Sequence, residues 1–584
     1  MSKSKKQKNS CTISVVAHTM GYGDSAACLE KNGIIYGPVE EERFTRNRYE
    51  SGFPKNSIIH LLKISKTKPS DVKSIFFHLR PNDKLIKRLV SLGFNFVHSI
   101  TDSAYPKAYL NLILMKRKFK SLGIKAPIKK FPHHKCHAAY SAFTSDFKNS
   151  LVITFDGAGD GLTGNVSILE SNFLKELDSF SYPNSIGIFY SAISDYIGFP
   201  LPSGPGKVMG LSAYGDEEKY ITLLNKLIKV EKGRPLIDKS FFEFHKNLVT
   251  PNSRTNKRWL SVKFDQLIGF KRRDKSQKLE QKHIDLAGAL QKVTTKIGVD
   301  IVSYWLDKTG QKNLCLSGGV ALNAVMNDAI FKKINGNFHV PPGCGDCGNT
   351  AGAIILDNMA KGGEALTFNS QQQYTGPSFK QEDVLKCLLD YKSVSYNIYD
   401  LNSPEERVKY IKLVAKEITN NKIIGWFHGK MEFGPRALGN RSILADPTNS
   451  NVKELINLKV KHREWFRPFA PSVLHSEFSK YFESDYHDPY MLTTPKVKVK
   501  FRDLLPAITH VDNTARVQSV KRVENPIYYD LISEIKINNG HGIVLNTSFN
   551  DNEPIVCNPI DAIECFLKTN IDLLAIEGVI CRKS

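Results

Sequence analysis

The chain has 584 residues and carries 81 Lys and Arg against 58 Asp and Glu, a formal net charge of +23. With 41% apolar and 24% charged residues it can bury a large core, which excludes a disordered chain, and its length favours at least two domains. The ten cysteines are too sparse for a disulfide framework and favour a reducing compartment. The sequence contains no apolar run of about 18 residues, the length that a membrane span needs, and no apolar signal segment follows its lysine-rich start. It therefore predicts a cytoplasmic protein.

Two segments of the first half share one design. Residues 13–37 and residues 150–170 each consist of a strand-like run, a glycine-rich turn with an acidic residue and a second strand-like run. The first turn carries Asp24, and the second carries Asp156 and Asp160. Two hairpins of this kind indicate the duplicated α/β halves of an actin-like fold that handles phosphate transfer.

A third turn supports this interpretation. The strand-like residues 313–316 lead into Ser317, Gly318 and Gly319 and then into a helical segment. Such a turn exposes backbone N–H groups that can bind a nucleotide, although the same pattern also occurs in ordinary chain reversals.

Composition divides the chain into regions. Residues 1–365 form the predicted first domain, with a lysine-rich helical insertion at about 216–310 whose basic face is either a binding surface or simply solvated. Gly, Ser, Gln and Pro accumulate over residues 366–380, which predicts a linker. Helical stretches alternate with strand-like runs over residues 381–584, which predicts a second α/β domain.

One histidine cluster has the spacing of a metal site. If a helix begins near Pro132, His133 and His137 lie one turn apart on one face and can bind the same ion. Asp346, in a glycine-rich loop ahead of a helix of small residues, is a candidate third ligand. His134 leaves the choice of the histidine pair open, and histidines at this spacing also occur simply as packing or surface residues.

Cys344 and Cys347 form a CxxC pair around Asp346. In a cytosolic protein such a pair is considered as a zinc or redox site. The sequence contains no second CxxC and this pair lies among glycines, so the favoured interpretation is two small side chains that fill a tight loop.

The densest group of cations lies in the second domain. Its members fall in segments rich in Gly, Pro, Asn and aromatic residues, unlike a solvated charged face. Guanidinium groups form forked hydrogen bonds to phosphate and carboxylate, so several together predict a polyanion site, with structural salt bridges as the alternative. The group comprises Arg436, Arg441, Lys461, Arg463, Arg467 and Arg516, and Ser548 adds a hydroxyl after a strand-like run.

Over nearly its whole length the sequence resembles the O-carbamoyltransferases of the nodulation-factor and antibiotic-tailoring type. The resemblance rests on blocks in the order of that family: EERFTR, HHKCHAAYSAF, FDGAGDG, GKVMGLSAYG, CLSGGVALN, GNTAGA, GPRALGNRSILADP, REWFRPFAPS and NTSFN. It implies an actin-like (ASKHA) first domain similar to the TsaD-type threonylcarbamoyl transferases, and a YrdC-like second domain. It also implies that carbamoyl phosphate and ATP form carbamoyl adenylate in the second domain, and that the first domain passes the carbamoyl group to an acceptor hydroxyl.

The resemblance also implies the roles of individual residues. The implied ligands of carbamoyl phosphate and of ATP, the latter bound with magnesium, are Arg436, Lys461, Arg467, Arg516 and Ser548. The implied ligands of a divalent metal, iron in some relatives, are His133, His137 and Asp346. The residues implied to face the adenylate are Asp156, Gly157, Gly318, Gly319 and Asn323.

Three positions depart from the family pattern. Relatives carry a histidine before the aspartate of the first turn, as a candidate base for the acceptor hydroxyl, whereas this chain has Gly23. We therefore predict that Asp24 or His18 is the base. Arg48 replaces a frequent lysine, and Asn552 replaces a usual glycine.

The favoured function is a cytoplasmic, metal-dependent O-carbamoyltransferase for the hydroxyl of a small molecule or sugar. A tRNA-modifying threonylcarbamoyl transferase is the first alternative, because the net charge suits nucleic acid, but the lysines are dispersed. A nucleotide- or anion-binding protein with reduced transfer activity is the second, because of Gly23. The two large domains also leave surface for a symmetric homodimer.

Overall fold

The computed structural model describes residues 11–17, 24–80, 114–171, 173–243, 259–334, 336–363 and 366–584. These residues form two compact α/β units. The first unit comprises Met1–Glu41 and Tyr49–Asn369, and the second comprises Glu42–Arg48 and Ser370–Ser584. His18, one of the two predicted bases, and Gly23 lie outside the described residues.

The described strands of the first unit form two sheets and one small hairpin. Their strands are β1 (Cys11–Val16), β2 (Ala26–Lys31), β3 (Ile34–Glu40), β4 (Val72–Phe77), β5 (Ile128–Lys130), β6 (Asn149–Gly159), β7 (Leu162–Glu170), β8 (Phe173–Ser181), β9 (Ile228–Glu231), β10 (Arg234–Ile237), β11 (Asn313–Ser317), β12 (Asn337–His339) and β13 (Thr367–Phe368). The six-stranded sheet has the order β13-β3-β2-β1-β4-β5, and the five-stranded sheet has the order β12-β11-β6-β7-β8.

The two sheets repeat one pairing scheme. In the first, β1, β2 and β3 form an antiparallel meander, and β4 and β5 continue parallel from β1. In the second, β6, β7 and β8 form the meander, and β11 and β12 continue parallel from β6. Both hairpins predicted from the sequence therefore form, and each opens one sheet.

The first unit also contains several helices. They are α1 (Lys55–Ile64), α2 (His133–Phe143), α3 (Ile186–Tyr196), α4 (Gly204–Leu211), α5 (Ile221–Leu224), α6 (Val262–Ile268), α7 (Gln281–Thr309), α8 (Ala324–Lys333) and α9 (Asn349–Ala360), and residues 114–121 are also helical. The region predicted as a helical insertion holds the β9–β10 hairpin and the 29-residue helix α7.

Helices α2 and α9 pack closely against each other. A Cβ atom added to Gly352 of α9 would lie 2.0 Å from the carbonyl oxygen of Cys136 on α2, so only glycine permits this approach. Helix α9 also contacts β1 to β4, whereas α2 contacts β6, β7 and β11. The pair therefore joins the two sheets, and the histidines of α2 lie at this junction.

The second unit is built on one large sheet. Its strands are β14 (Val394–Ile398), β15 (Ile424–Phe427), β16 (Arg441–Ala445), β17 (Ala470–Leu474), β18 (Phe482–Glu483), β19 (Lys496–Val497), β20 (Gln518–Val520), β21 (Ile543–Ser548), β22 (Leu573–Ile576) and β23 (Val579–Lys583). Eight of them form a sheet of order β14-β23-β22-β15-β16-β21-β17-β20, and β18 pairs with β19. Its helices are α10 (Gln381–Leu388), α11 (Pro404–Thr419), α12 (Val452–Ile456), α13 (Phe478–Tyr481), α14 (Val499–Arg502), α15 (Pro526–Asn539) and α16 (Pro559–Lys568).

Apolar residues cover both faces of this sheet. Along β21, Ile543 and Leu545 belong to a core with residues of α10 and α16, whereas Val544 belongs to a core with residues of α11 and α15. This alternation is expected of a strand that is buried on both sides. None of the helices in the described ranges has the length and apolarity needed to cross a bilayer.

One short segment belongs to the second unit although both neighbouring segments belong to the first. Within Glu42–Arg48, which includes the short helix Glu42–Thr45, Arg43 Nη2 donates a hydrogen bond to the carbonyl oxygen of Gly434 at 2.8 Å. Arg46 Nη1 and Nη2 donate to the carbonyl oxygens of Ile555 and Pro554 at 2.6 and 2.7 Å. The EERFTR block therefore contributes two arginines to the packing of the second unit.

Residues 366–380, the region predicted as a linker, contact both units: the start of the segment pairs with the first unit, and a later part packs into the second. Thr367–Phe368 pair with β3 in the first unit. In the second unit Tyr374 is buried, and its hydroxyl donates to the carbonyl oxygen of Leu438 at 2.7 Å.

Candidate active site

Four side chains converge beside α2 in the first unit. The helix begins directly after Pro132, so His133 and His137 lie one turn apart, and their Nε2 atoms are 3.2 Å apart. His133 Nε2 lies 3.0 Å from Asp156 Oδ2, and His137 Nε2 lies 3.2 Å from Asp346 Oδ1. One ligand atom from each of the four residues lies within 4.8 Å of the others. We call these residues the His–Asp cluster.

An irregularity in the second hairpin brings Asp156 into the His–Asp cluster. The register of β6 against β7 shifts between Phe155 and Gly159, so Asp156 leaves the regular ladder. Asp160, at the tip, accepts the backbone N–H of His133 at 2.9 Å and that of Arg80 at 2.8 Å, and so holds the start of α2 against the hairpin. The sequence predicted Asp156 as a residue facing the adenylate, and its position among the candidate metal ligands was missed.

The close contacts between histidines and carboxylates in the His–Asp cluster shift the pKa values of His133 and Asp156. Burial alone would lower the pKa of His133, but the carboxylates of Asp346, Asp156 and Asp160 outweigh it and raise the pKa to about 9. Burial and Asp346 would raise the pKa of Asp156, but the hydrogen bond from His133 and the charges of both histidines bring it well below its usual range. Without a cation, His133 therefore retains its proton at neutral pH.

The donor set of the cluster fits a divalent metal. Two imidazole nitrogens and two carboxylates suit Fe²⁺, Mn²⁺ or Zn²⁺. His134 is also buried, but its Nε2 lies 3.7 Å from Asp156 Oδ2 and it does not share the four-residue grouping. The geometry therefore favours the pair His133 and His137 over pairs that include His134.

The raised pKa of His133 predicts how the stability of the metal-free protein depends on pH. Its pKa rises from 6.5 to about 9 on folding, so the stabilisation is complete below about pH 6.5 and is lost as the pH rises through about 9. We expect the melting temperature of chelator-treated protein to fall more steeply over this range than that of His133→Gln. Equal slopes for the two proteins, measured by thermal unfolding, would contradict the assignment.

Glycine turns surround the His–Asp cluster. The Gly319 N–H donates to Asp156 Oδ1 at 3.2 Å. Gly318 has φ of 90°, and a Cβ there would lie 2.1 Å from the carbonyl oxygen of Phe155, so this turn requires glycine. A Cβ on Gly157 would meet no atom within 4 Å, so the backbone at this position is open to a ligand.

Asn323, predicted to face the adenylate, makes structural contacts. Its side-chain oxygen accepts the N–H of Met326 at the start of α8. It also exchanges hydrogen bonds with Gln291 at 3.0 and 3.1 Å. These contacts fix the helix that follows the glycine turn.

Two further sequence candidates lie in the first unit. Asp24 is partly buried and is separated from the start of β2 by Ser25. Cys344 and Cys347 are both buried, and the carbonyl oxygen of Cys344 accepts the N–H of Gly318 at 2.9 Å. The CxxC loop therefore supports the glycine turn through its backbone.

The topology of the second unit gathers the predicted cations at one end of the central strands. β21 runs antiparallel to β16 and β17, and β20 runs parallel to β17. The end of β21, at Ser548, therefore lies on the same side as the beginnings of β16, β17 and β20. Arg441 opens β16, Arg467 precedes β17, and Arg516 precedes β20.

The guanidinium groups at this end repel one another. Burial and the neighbouring charges of Arg436, Arg467 and Arg463 hold the pKa of Arg516 well below its ordinary value. Burial and Arg467 lower the pKa of Arg463 to about 9. Among the described residues, Arg516 Nε and Arg463 Nη2 are buried without a hydrogen-bond partner. A bound polyanion would relieve the repulsion and satisfy these donors.

Arg441 and Lys461 each contact several protein oxygens. Arg441 is fully buried, and its Nη1 and Nη2 donate to the carbonyl oxygens of His428, Asn440, Pro377 and Gly429 at 2.8 to 3.2 Å. Lys461 Nζ donates to the backbone oxygen of Asn550 at 2.8 Å and contacts Ser548 Oγ at 3.2 Å. Burial, followed by the charge of Arg463, keeps the pKa of Lys461 well below its ordinary value.

A glutamate that the sequence analysis missed shapes the loop that carries Arg436. Glu432 is buried, and its Oε1 accepts the backbone N–H groups of Leu438, Asn440 and Arg441 at 2.7 to 2.9 Å. One carboxylate oxygen thus closes a ten-residue loop. Its only sequence signal is its place within the block GKMEFGPRALGNRS.

This chain belongs to the carbamoyltransferase family. The family model for the carbamoyltransferase N-terminus matches residues 13–355, and the family model for the carbamoyltransferase C-terminus matches residues 415–583. The chain is therefore a carbamoyltransferase enzyme, and the predicted family is confirmed.

Several relatives match over most of their length. The uncharacterized protein sll1178 of Synechocystis sp. is 35% identical, with 97% of each chain covered. Nodulation protein NolNO of Sinorhizobium fredii is 32% identical, with 96% of this chain and 79% of the relative covered. Nodulation protein NolO of Bradyrhizobium diazoefficiens is 34% identical, with 77% of this chain and 78% of the relative covered.

A solved structure of full-length HypF, in the phosphate- and nucleotide-bound form, is also similar. The match covers 62% of this chain and 57% of the HypF chain, at 14% identity and a TM-score of 0.38.

Proposed function

We propose that this chain is an ATP- and carbamoyl-phosphate-dependent O-carbamoyltransferase with two sites, one in each unit. In this proposal residues 1–365 form an actin-like transfer domain and residues 381–584 form a YrdC-like adenylation domain. The repeated order of pairing in the two sheets of the first unit supports the duplicated fold. The family membership supports the carbamoyl chemistry.

The observation that carries the proposal is the cluster of partly buried, mutually repelling guanidinium groups at one end of the sheet of the second unit. Arg436, Arg463, Arg467 and Arg516 bind the phosphate groups of carbamoyl phosphate and of ATP. Lys461 positions the end of β21 and the hydroxyl of Ser548, and Arg441 holds the surrounding loops. Arginines at this place stabilise the negative charge that develops when the α-phosphate of ATP is attacked.

The proposed first reaction consumes one water molecule. Carbamoyl phosphate, ATP and water give carbamoyl adenylate, phosphate and pyrophosphate. Water attacks the carbamoyl carbon, the bond from this carbon to the phosphate oxygen breaks, and phosphate leaves. An oxygen of the resulting carbamate then attacks the α-phosphorus of ATP, and pyrophosphate leaves. In the second reaction the acceptor oxygen attacks the carbamoyl carbon, AMP leaves, and the hydroxyl proton passes to a base.

The second reaction is assigned to the first unit. His133, His137, Asp156 and Asp346 would hold a divalent metal, iron in our proposal, which when bound would stabilise negative charge on the leaving adenylate. The open backbone at Gly157 and the turn at Gly318 and Gly319 would face the nucleotide. Asp24 or His18 would take the proton of the acceptor hydroxyl, which belongs to a small molecule or a sugar.

The proposal predicts two separable half-reactions. Pyrophosphate release should require both ATP and carbamoyl phosphate, and a hydroxyl acceptor should increase AMP release. Asp24→Asn or His18→Ala, whichever removes the base, should slow AMP release by about 100-fold and leave pyrophosphate release unchanged. Nucleotide binding without pyrophosphate release would refute the proposed function, and full transfer by both variants would refute the assignment of the base.

A further inference from the structure

A network of buried polar side chains lies beside the cation cluster of the second unit. Ser472, Gln518 and Asn546 are each at most 3% exposed, and they stand on β17, β20 and β21. Ser472 Oγ donates to Gln518 Oε1 at 2.6 Å. Asn546 Nδ2 lies 2.9 Å from Ser472 Oγ and 3.2 Å from Gln518 Oε1.

The network fixes the orientation of the Asn546 amide. Gln518 Nε2 donates to the carbonyl oxygen of Leu438 at 2.8 Å, so Gln518 Oε1 is an acceptor. Asn546 Nδ2 also donates to the carbonyl oxygen of Ala437 at 3.2 Å. Turning the amide over would set its oxygen against two acceptor oxygens, so the NH₂ group must face the network.

The orientation leaves one acceptor unused. Within the described part of the chain, Asn546 Oδ1 is buried and has no hydrogen-bond partner. Buried polar atoms in folded proteins are nearly always satisfied. Because Asn546 stands on β21 two residues before Ser548, at the end of the sheet where the cations gather, its oxygen can accept a hydrogen bond from a ligand bound there.

Strand alternation and chain connectivity place residues of the cation cluster near Asn546. Alternate residues of a strand face the same side, so Asn546 shares a face with Ser548. Ala515 and Val517 pack into the core on the other face, which places Arg516 on the side of Gln518. Ala437, whose carbonyl accepts from Asn546, directly follows Arg436 in the chain.

We propose that Asn546 selects the carbamoyl group, because its Oδ1 accepts a hydrogen bond from the carbamoyl NH₂. This inference rests on the proposed function and adds the residue that recognises the donor substrate. Carbamoyl phosphate carries an amide NH₂ group close to its phosphate. Acetyl phosphate carries a methyl group of similar size at this place, and a methyl group cannot donate a hydrogen bond. A site that keeps a buried acceptor for an N–H rejects an analogue that lacks it, because the acceptor stays unsatisfied.

The first test uses the unmodified enzyme. Pyrophosphate release is measured with ATP and carbamoyl phosphate, and acetyl phosphate is added as a competitor. We expect the inhibition constant of acetyl phosphate to exceed the KM of carbamoyl phosphate by at least about 100-fold. Equal affinities would overturn the role of Asn546. If carbamoyl phosphate itself supports no pyrophosphate release, the proposed function fails instead.

The second test uses Asn546→Leu. Loss of the acceptor should reduce kcat/KM for carbamoyl phosphate by at least about 100-fold and leave the inhibition constant of acetyl phosphate within about threefold. Asn165→Leu is the matched control, because Asn165 is a buried asparagine of the first unit whose Oδ1 also lacks a partner in the described residues. The assignment would be overturned if Asn546→Leu left both kcat/KM for carbamoyl phosphate and the inhibition constant of acetyl phosphate unchanged relative to each other. An equal change in Asn165→Leu would also overturn it.

Discussion

Arg516→Leu is expected to reduce carbamoyl-phosphate-dependent pyrophosphate release by about 10³-fold while leaving the ligand-free protein at least as stable as before. Arg516 is surrounded by the charges of Arg436, Arg467 and Arg463, and its buried Nε has no partner among the described residues. Replacing a half-buried cation among like charges by an apolar side chain removes repulsion, so the free energy of unfolding should stay equal or rise by up to about 2 kcal/mol. Assays of pyrophosphate release and denaturant unfolding measure the two effects.

Arg441→Leu is the matched control for this prediction. Arg441 donates to four carbonyl oxygens, so its removal leaves several buried acceptors unsatisfied and should cost at least about 3 kcal/mol of stability. The two variants thus separate a cation kept for a ligand from a cation kept for the fold. Strong destabilisation by Arg516→Leu, with no effect on pyrophosphate release, would show that Arg516 belongs to the second kind.

The other large effect is expected at the His–Asp cluster. His137→Ala and Asp346→Ala should each lower the affinity for Fe²⁺ or Mn²⁺ by at least about 100-fold, because each removes one of four candidate ligands. Transfer to an acceptor should then fall by about 10³-fold, whereas pyrophosphate release from the second unit should be unchanged. Metal content after dialysis and the two half-reactions measure these effects independently.

His339→Gln is the control for the metal-site variants. His339 is a buried histidine of the same unit, and its Nε2 lies 3.0 Å from Thr144 Oγ1, outside the His–Asp cluster. Its substitution should leave metal content unchanged. Full metal occupancy in both His137→Ala and Asp346→Ala would contradict the assignment of these side chains as ligands.

Local sequence rules predicted much of the His–Asp cluster. Histidines four residues apart after Pro132 indicate one face of a helix, and α2 begins where this rule expects. Asp346 lies more than 200 residues after α2 in the chain. Its glycine-rich loop made it a candidate third ligand, and the family resemblance implied the same role, but no local pattern places it beside the histidines. The position of Asp156 depends on a shift in strand register, which no local pattern specifies.

The second unit shows a different limit. Composition predicted a cation cluster, because its arginines lie among Gly, Pro and Asn rather than Glu and Lys. Composition did not distinguish Arg441, whose donors meet backbone carbonyls, from Arg516, whose Nε is left open. That difference depends on the path of the surrounding loops. The assignment of Glu42–Arg48 to the second unit likewise depends on contacts more than 300 residues away in the chain.

The central claim is that the arginines at the end of the sheet in the second unit bind a phosphate-bearing carbamoyl donor. Calorimetric titration of carbamoyl phosphate into the full-length enzyme and into Arg516→Leu tests it most directly. We expect saturable binding of one molecule per chain by the unmodified enzyme and affinity reduced by at least about 100-fold in the variant. Equal binding by both proteins, or none by the unmodified enzyme, would contradict the claim.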